Sequence, residues 1–329
     1  MARRRLIWHL GLAHPLHDPV GASLDEHAKT LDAAGFPVIA TPGEAQLATH
    51  ELLRTHRDAG LAREEVEGRW ARITDRVWAH KGVSLLSTPD LCAADKDQLR
   101  LALDPLIGVE VHLVLTVPAW GEQLYGEWLV ELGSGDGTDW DTYVSRVSEA
   151  AGRVKGHRQA EEFWAGHDLG AVLARWGWTF HADRLHVLVA ADPTVRWSAF
   201  LDIAGAAAAE DLPAVVPASV DVPQVDAIAV APLLKQWSET LVAAGHDVRG
   251  DLLSLGGAAP GSRGDVDPAV SSLATVLAEN QRLRARVARL GIENERLDRK
   301  RRKHKRRLRQ LQAASEGGHR KLEHVTVPG

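Results

Sequence analysis

The chain has 329 residues, 45% of them hydrophobic and 25% charged, a globular composition with enough length for one sizeable core. Its single cysteine, Cys92, excludes an intrachain disulfide and a thiolate zinc site built from one chain, and no stretch approaches the ~20 apolar residues that cross a bilayer. The net charge of −5 hides two opposed parts: residues 271–329 hold 16 Lys or Arg against 6 Asp or Glu, a balance of +10, so residues 1–270 carry −15.

In chain order, Leu6–Leu12 is the first strand expected. The basic start Met1–Arg5 imitates a signal peptide, but the apolar run is short, His9 interrupts it, and no small-residue cleavage site follows. Three further strands are expected at Gly82–Ser87, Val109–Val117 (VEVHLVLTV) and Arg184–Ala190. Amphipathic patterns predict helices over Leu24–Ala34, Arg63–Ala79, Ala94–Leu106, Pro118–Leu132, Trp140–Ala151, Asp168–Trp176, Val195–Ala209 and about Val225–Ala244. Short apolar strands alternating with helices imply βαβ crossovers. The predicted fold class is therefore α/β, a mostly parallel central sheet flanked by helices on both faces. Thr88-Pro89-Asp90 reads as a turn, Asp95 or Ala94 as a helix start, and Pro118 as the first turn of the helix after the third strand.

Residues 1–248 are taken as this α/β domain, 249–269 as a flexible linker, 270–313 as a basic coiled coil and 314–329 as a disordered tail. In the coil, Leu273, Val276, Asn280, Leu283, Val287, Leu290, Asn294 and Leu297 are spaced alternately by three and four. With Leu273 as position a, leucines hold most d positions, and Asn280 and Asn294 sit at a. That pattern favours a parallel two-stranded coil, because a buried amide pairs best with its own copy. Downstream, Arg299, Lys300, Arg301, Arg302, Lys303, Lys305, Arg306, Arg307 and Arg309 put nine cations into eleven residues. They form the expected anion-binding segment, for nucleic acid or a membrane surface. The basic segment follows the zipper, the reverse of a basic-zipper transcription factor. The lone cysteine suits a reducing compartment, so a cytoplasmic protein is expected.

The segments Gly82–Leu91 (GVSLLSTPDL), Gly108–Trp128 (GVEVHLVLTVPAWGEQLYGEW) and Glu162–Val189 (EEFWAGHDLGAVLARWGWTFHADRLHVLV) occur in an order that resembles bacterial, particularly actinobacterial, sulfotransferase-like proteins of the P-loop-related type. The resemblance spans about residues 5–205. It implies a three-layer fold and transfer of a sulfuryl group from 3′-phosphoadenosine-5′-phosphosulfate to a hydroxyl or amine. In that family a loop after the first strand, H-x-G-x-x-K-[ST]-G-[ST]-[ST], wraps the 5′-phosphate. An Arg and a Ser after a later strand hold the 3′-phosphate, and a His or Glu serves as base.

This chain keeps His9-Leu-Gly11 but has His14 where the Lys belongs, then Pro15, Leu16, His17 and Asp18 in place of small hydroxylic residues and glycine. Pro118 stands at the expected Arg, Gly126 at the expected Ser, and Ser87-Thr88-Pro89 where S-[HQ]-E is common. Two lost phosphate-binding charges remove bonds worth about 1.5–3 kcal/mol each. The resemblance thus implies a vestigial donor site at Gly11, His14, His17, Asp18, Thr116, Pro118 and Gly126, with no catalytic residue assigned. The expected function is a non-catalytic, oligomeric binding or scaffold module without a cofactor. The alternatives are an active sulfotransferase with an altered phosphate loop, which would use the phosphosulfate donor, and an anion binder acting through the basic coil. No metal site is expected: His9, His14, His17 and His27 read as loop histidines, and Asp136, Asp139 and Asp141 lack the closing Glu of a calcium loop.

Overall fold

The computed structural model describes residues 4–12, 18–151, 156–177, 180–190, 192–206, 209, 211–216, 222–223, 225, 228, 230–256 and 266–280, and, beyond these, 282–283, 286, 290, 296–297 and 299–305. Five strands, β1 Arg5–Gly11, β2 Val83–Ser87, β3 Glu110–Val117, β4 Leu185–Val189 and β5 Asp247–Arg249, form one sheet in the order β2-β1-β3-β4-β5. Every pairing is parallel, with Ile7 opposite both Leu85 and His112, and Leu115 opposite Val187. Val38 adds one parallel rung outside β2, where Ile39 N–H donates to Leu85 O (3.0 Å) and Leu85 N–H to Pro37 O (2.9 Å). The chain therefore leaves β1, passes over β2 to the outer edge, and returns to lay β2 in the gap. After β3 it continues outward on the other side, so the connections diverge at the β1–β3 boundary.

The helices are α1 Pro19–Glu26, α2 Ala28–Ala33, α3 Pro42–Leu53, α4 Arg63–Val66, α5 Arg69–Ala79, α6 Lys96–Leu103, α7 Trp120–Gly133, α8 Trp140–Glu149, α9 Arg158–His167, α10 Leu169–Trp176, α11 Pro193–Ala204 and α12 Ala231–Ala244. Alternation along the strands sends Leu6, Trp8 and Leu10 to a core shared with α3, α5–α10 and α12. It sends Ile7, Val114 and Leu188 to a smaller core under α1, α2 and α11. Helices thus cover both faces, and no helix among the described residues is long and apolar enough to cross a membrane.

Local chemistry sets several boundaries. Thr41 and Glu44 close a capping box on α3, and Asp95 and Gln98 close one on α6, which settles the start of that helix on Asp95 rather than Ala94. The pattern over Arg63–Ala79 breaks at Gly68, whose φ of 76° no β-carbon accommodates comfortably, leaving α4 and α5 as two helices. Pro118 stays outside α7: Ala119 caps that helix, and the Pro118 carbonyl accepts from Gln123 Nε2 at 2.8 Å. The sheet runs on through β5, and Leu252 and Leu255 are buried in the larger core.

The described residues from 268 to 280 form a helix against the domain. Val266, Val270, Ala274 and Leu277 pack on the larger core, and a β-carbon on Gly137 would lie 1.9 Å from Ala278 N. The docked residues follow an i, i+4, i+7 line that is distinct from the zipper line. Leu273, Val276, Asn280, Leu283, Leu290 and Leu297 are exposed, while Val287 and Asn294 lie outside the described residues. The described residues up to Lys305 are helical.

Candidate functional site

In open parallel sheets the crevice outside the carboxyl ends, where the connections diverge, is the usual place for a ligand. Here that place is the end of β1 and β3, and it holds a buried polar cluster. His9, fully buried in β1, sets Nδ1 at 2.9 Å from Ser87 Oγ of β2 and Nε2 at 3.0 Å from Thr116 Oγ1 of β3. Asp18 caps α1: Oδ1 accepts from Val20 N (3.0 Å), while Oδ2 lies 3.4 Å from Ser87 Oγ, which donates to it, and 3.5 Å from His9 Nδ1. Gly21 makes room for this carboxylate, since a β-carbon there would sit 2.4 Å from Asp18 Oδ2. From α11, buried Arg196 places Nη2 3.6 Å from Glu122 Oε2 in the first turn of α7.

The electrostatics follow from burial. Burial lowers the pKa of His9; Asp18 pulls it back up, and Arg196 pushes it further down. A neutral ring then donates from Nδ1 to Ser87 and accepts the Thr116 hydroxyl at Nε2. Burial likewise lowers Arg196 and raises Glu122, each opposed by the other's charge. Serine, histidine and aspartate meet here, yet not as a nucleophilic triad. That arrangement puts Asp and Ser on opposite ring nitrogens, whereas Ser87 and Asp18 share the Nδ1 side and Thr116 occupies Nε2. What the cluster does hold is an anion: the Asp18 carboxylate lies at the N-terminus of α1, the position a helix offers to a phosphate.

Of the residues singled out in the sequence, the structure brings Asp18 and Thr116 together, with Gly11 opposite Thr116 in register. Gly126 is buried within α7, the better part of two turns from its start, and takes no part in the cluster. His14 and His17 lie outside the described residues. Arg196, Glu122 and the Ser87–His9 contact were not anticipated. The one available signal was position, since Ser87 ends a parallel strand and Arg196 opens the helix that follows one. His27 turns away to the Pro213 carbonyl (2.8 Å), and among the described residues no three His, Cys, Asp or Glu side chains stand close enough to hold a metal. Asp136 accepts from Thr138, and Asp139 caps α8. Arg299 to Lys305 are exposed on the tail helix, and Arg306, Arg307 and Arg309 lie outside the described residues.

A second acidic group borders the site. Burial pushes Asp90 up to about 6, helped by the negative charge of Asp18. Glu127 of α7 rises to about 8 through burial, then through Asp90 and Glu131. A carboxyl raised this way is protonated in the folded chain over a range where the unfolded chain has lost the proton, so stability falls as pH climbs from about 4.5 to about 8. Glu127→Gln is expected to leave stability unchanged near pH 4 and to raise it by about 1–3 kcal/mol near pH 8. The lower part of that range is favoured because 27% of the side chain still reaches solvent. Urea melts at both pH values read the difference, and a variant that is less stable at pH 8 would refute the assignment.

No family model matches the chain, and no curated protein and no solved structure matches it.

Proposed function

We propose that the chain is a sulfotransferase-like protein whose 3′-phosphoadenosine-5′-phosphosulfate site is vestigial, and that it works as a non-catalytic, oligomeric binding or scaffold module. The observation that carries this reading is the Asp18 carboxylate, buried at the N-terminus of α1 and engaged with Val20 N–H and Ser87. A phosphate approaching the same helix end meets a fixed negative charge in the space it needs. The all-parallel sheet, with its polar cluster beyond the carboxyl ends of β1 and β3, agrees with a nucleotide-binding ancestry. The module part of the reading rests on the tail helix, which docks one face on its own domain and leaves Leu273, Val276 and Leu283 exposed for a second copy in parallel.

The test is calorimetric titration with 3′-phosphoadenosine-5′-phosphate. The unaltered chain is expected to bind it no better than millimolar. Asp18→Ser keeps an N-cap while removing the charge, and combined with His14→Lys, Leu16→Gly and Pro118→Arg it should improve affinity at least about tenfold. Micromolar binding by the unaltered chain would replace this reading with that of an active transferase using an altered loop. A second reading, anion binding by the tail, is favoured by the exposed run from Arg299 to Lys305. Salt-sensitive retention on heparin by the full chain, lost on deleting residues 299–329, is its signature.

A further inference from the structure

At the opposite end of the sheet, on the face under α1 and α11, a row of charged side chains crosses four strands. Arg5 of β1 reaches Glu110 Oε1 (3.0 Å), and that oxygen lies 3.1 Å from His112 Nε2 on β3. His112 Nδ1 is 3.1 Å from His186 Nε2 on β4, and His186 Nδ1 is 2.8 Å from Asp247 Oδ2 on β5. Arg249 closes the row, contacting Asp247 (3.2 Å) and Asp202 of α11. The two imidazole planes differ by 12° with centroids 5.4 Å apart, the separation that rings joined nitrogen to nitrogen in a line would have. This is an in-line hydrogen bond, not a face stack.

Counting hydrogens decides the state of the row. There are three gaps, Glu110 to His112, His112 to His186, and His186 to Asp247, and a carboxylate closes each end as an acceptor. Each gap needs one hydrogen, and two neutral imidazoles carry only two. The Asp247 carboxyl does not supply the third: against burial, which raises it, the His186 hydrogen bond and Arg249 hold it below the usual carboxylate range. Burial lowers the pKa of His112, the Glu110 hydrogen bond opposes this, and His186 and Arg5 add to the lowering; with Nε2 turned to Glu110, its Nδ1 faces His186.

We propose that His112 and His186 form a proton-sharing pair that latches the edge strand β5 to the sheet, and that losing the third proton releases it. Once it is lost, one gap faces two lone pairs. The weakest place to open is β5, which is three residues long, half-buried, and paired on one side only. The latch is closed below the titration step of the pair and opens as pH rises through it, a step that belongs to both rings together. Opening frees the strand that precedes Leu252 and Leu255, so the device regulates how firmly the last part of the domain is held.

The experiment is amide hydrogen exchange on the full chain between about pH 5 and about pH 8, the range histidine spans, corrected for the pH dependence of chemical exchange. Protection at residues 247–249 should fall about tenfold or more across that range. Asp247→Asn supplies the missing hydrogen from its own amide while Arg249 keeps Asp202, so its protection should not change with pH. A plain structural role for Asp247 would instead give lower protection at every pH with the dependence intact. Proton NMR on the unaltered chain gives a second reading that needs no variant, in which the His112 and His186 ring signals should move in one shared step. Flat protection in the unaltered chain, the same pH dependence in Asp247→Asn, or two unrelated histidine titrations would each overturn the proposal.

Discussion

Trp8→Ala is expected to lower folding stability by about 3–5 kcal/mol, a large part of the ~5–15 kcal/mol that typically holds a domain folded. Trp8 sits on the inner strand β1 with no exposed surface. Its ring packs on Trp70 at 5.2 Å and edge-on against Trp176 at 5.4 Å, joining α5 and α10 to the sheet. Its indole N–H donates to Thr88 Oγ1 at 2.7 Å, at the turn beside the polar cluster. Truncation therefore opens a cavity between helices and strand and removes a buried donor at once. Trp8→Phe separates the two, keeping most of the packing while losing the hydrogen bond, and should cost about 1–2 kcal/mol. Chemical denaturation of both variants reads these values. A loss below about 1 kcal/mol for the alanine variant would mean that the core around β1 is not as packed as the distances say.

Leu283→Lys with Leu290→Lys is expected to halve the particle mass in light scattering while leaving the far-ultraviolet spectrum of the domain unchanged. Both leucines fall at d positions of the zipper line, and both are exposed on the single chain. Val270, Ala274 and Leu277, which hold the start of the helix on the domain, lie on another side and are untouched by the change. Two ammonium groups per chain facing their copies across a seam repel, and they remove the apolar burial that would offset strand ordering. The monomer should also bind heparin more weakly, since two adjacent basic arms act together, and raised salt should erase the difference. An unchanged mass would assign self-association, if present, to the domain surface.

The four longer strands were legible in the sequence to within a residue or two, because strands buried on both faces read as unbroken apolar runs. β5 was not, since Asp247-Val248-Arg249 is short, polar at both ends and half-buried. α3 escaped because its inward stripe, Ala45, Ala48, Thr49 and Leu52, is mostly small and weakly apolar; its capping box from Thr41 to Glu44 was the signal to use. α9 escaped in the same way, burying Gln159, Ala160, Gly166 and His167 beside the one strong apolar residue, Phe163. Of the polar cluster, Asp18 lay within the loop that the sequence motif singled out. Ser87 and Thr116 reach His9 from 78 and 107 positions away through strand order, which spacing along the chain does not encode. The same holds for His112 and His186, 74 positions apart, whose hydrogen bond exists only because β3 and β4 are neighbours in this register.

The placing of β1 also has a consequence for how the protein is made. The first strand to be synthesised is an inner strand of the sheet, and its two neighbours, β2 and β3, end at Ser87 and Val117. At about 5–20 residues per second, a ribosome needs several seconds to deliver both partners after Gly11 has been joined. For that interval an apolar segment with every ladder hydrogen bond unmade must be kept from pairing with anything else. Folding of this domain should therefore be slow for its length and sensitive to the crowding of nascent chains, because its central contacts are its most distant ones.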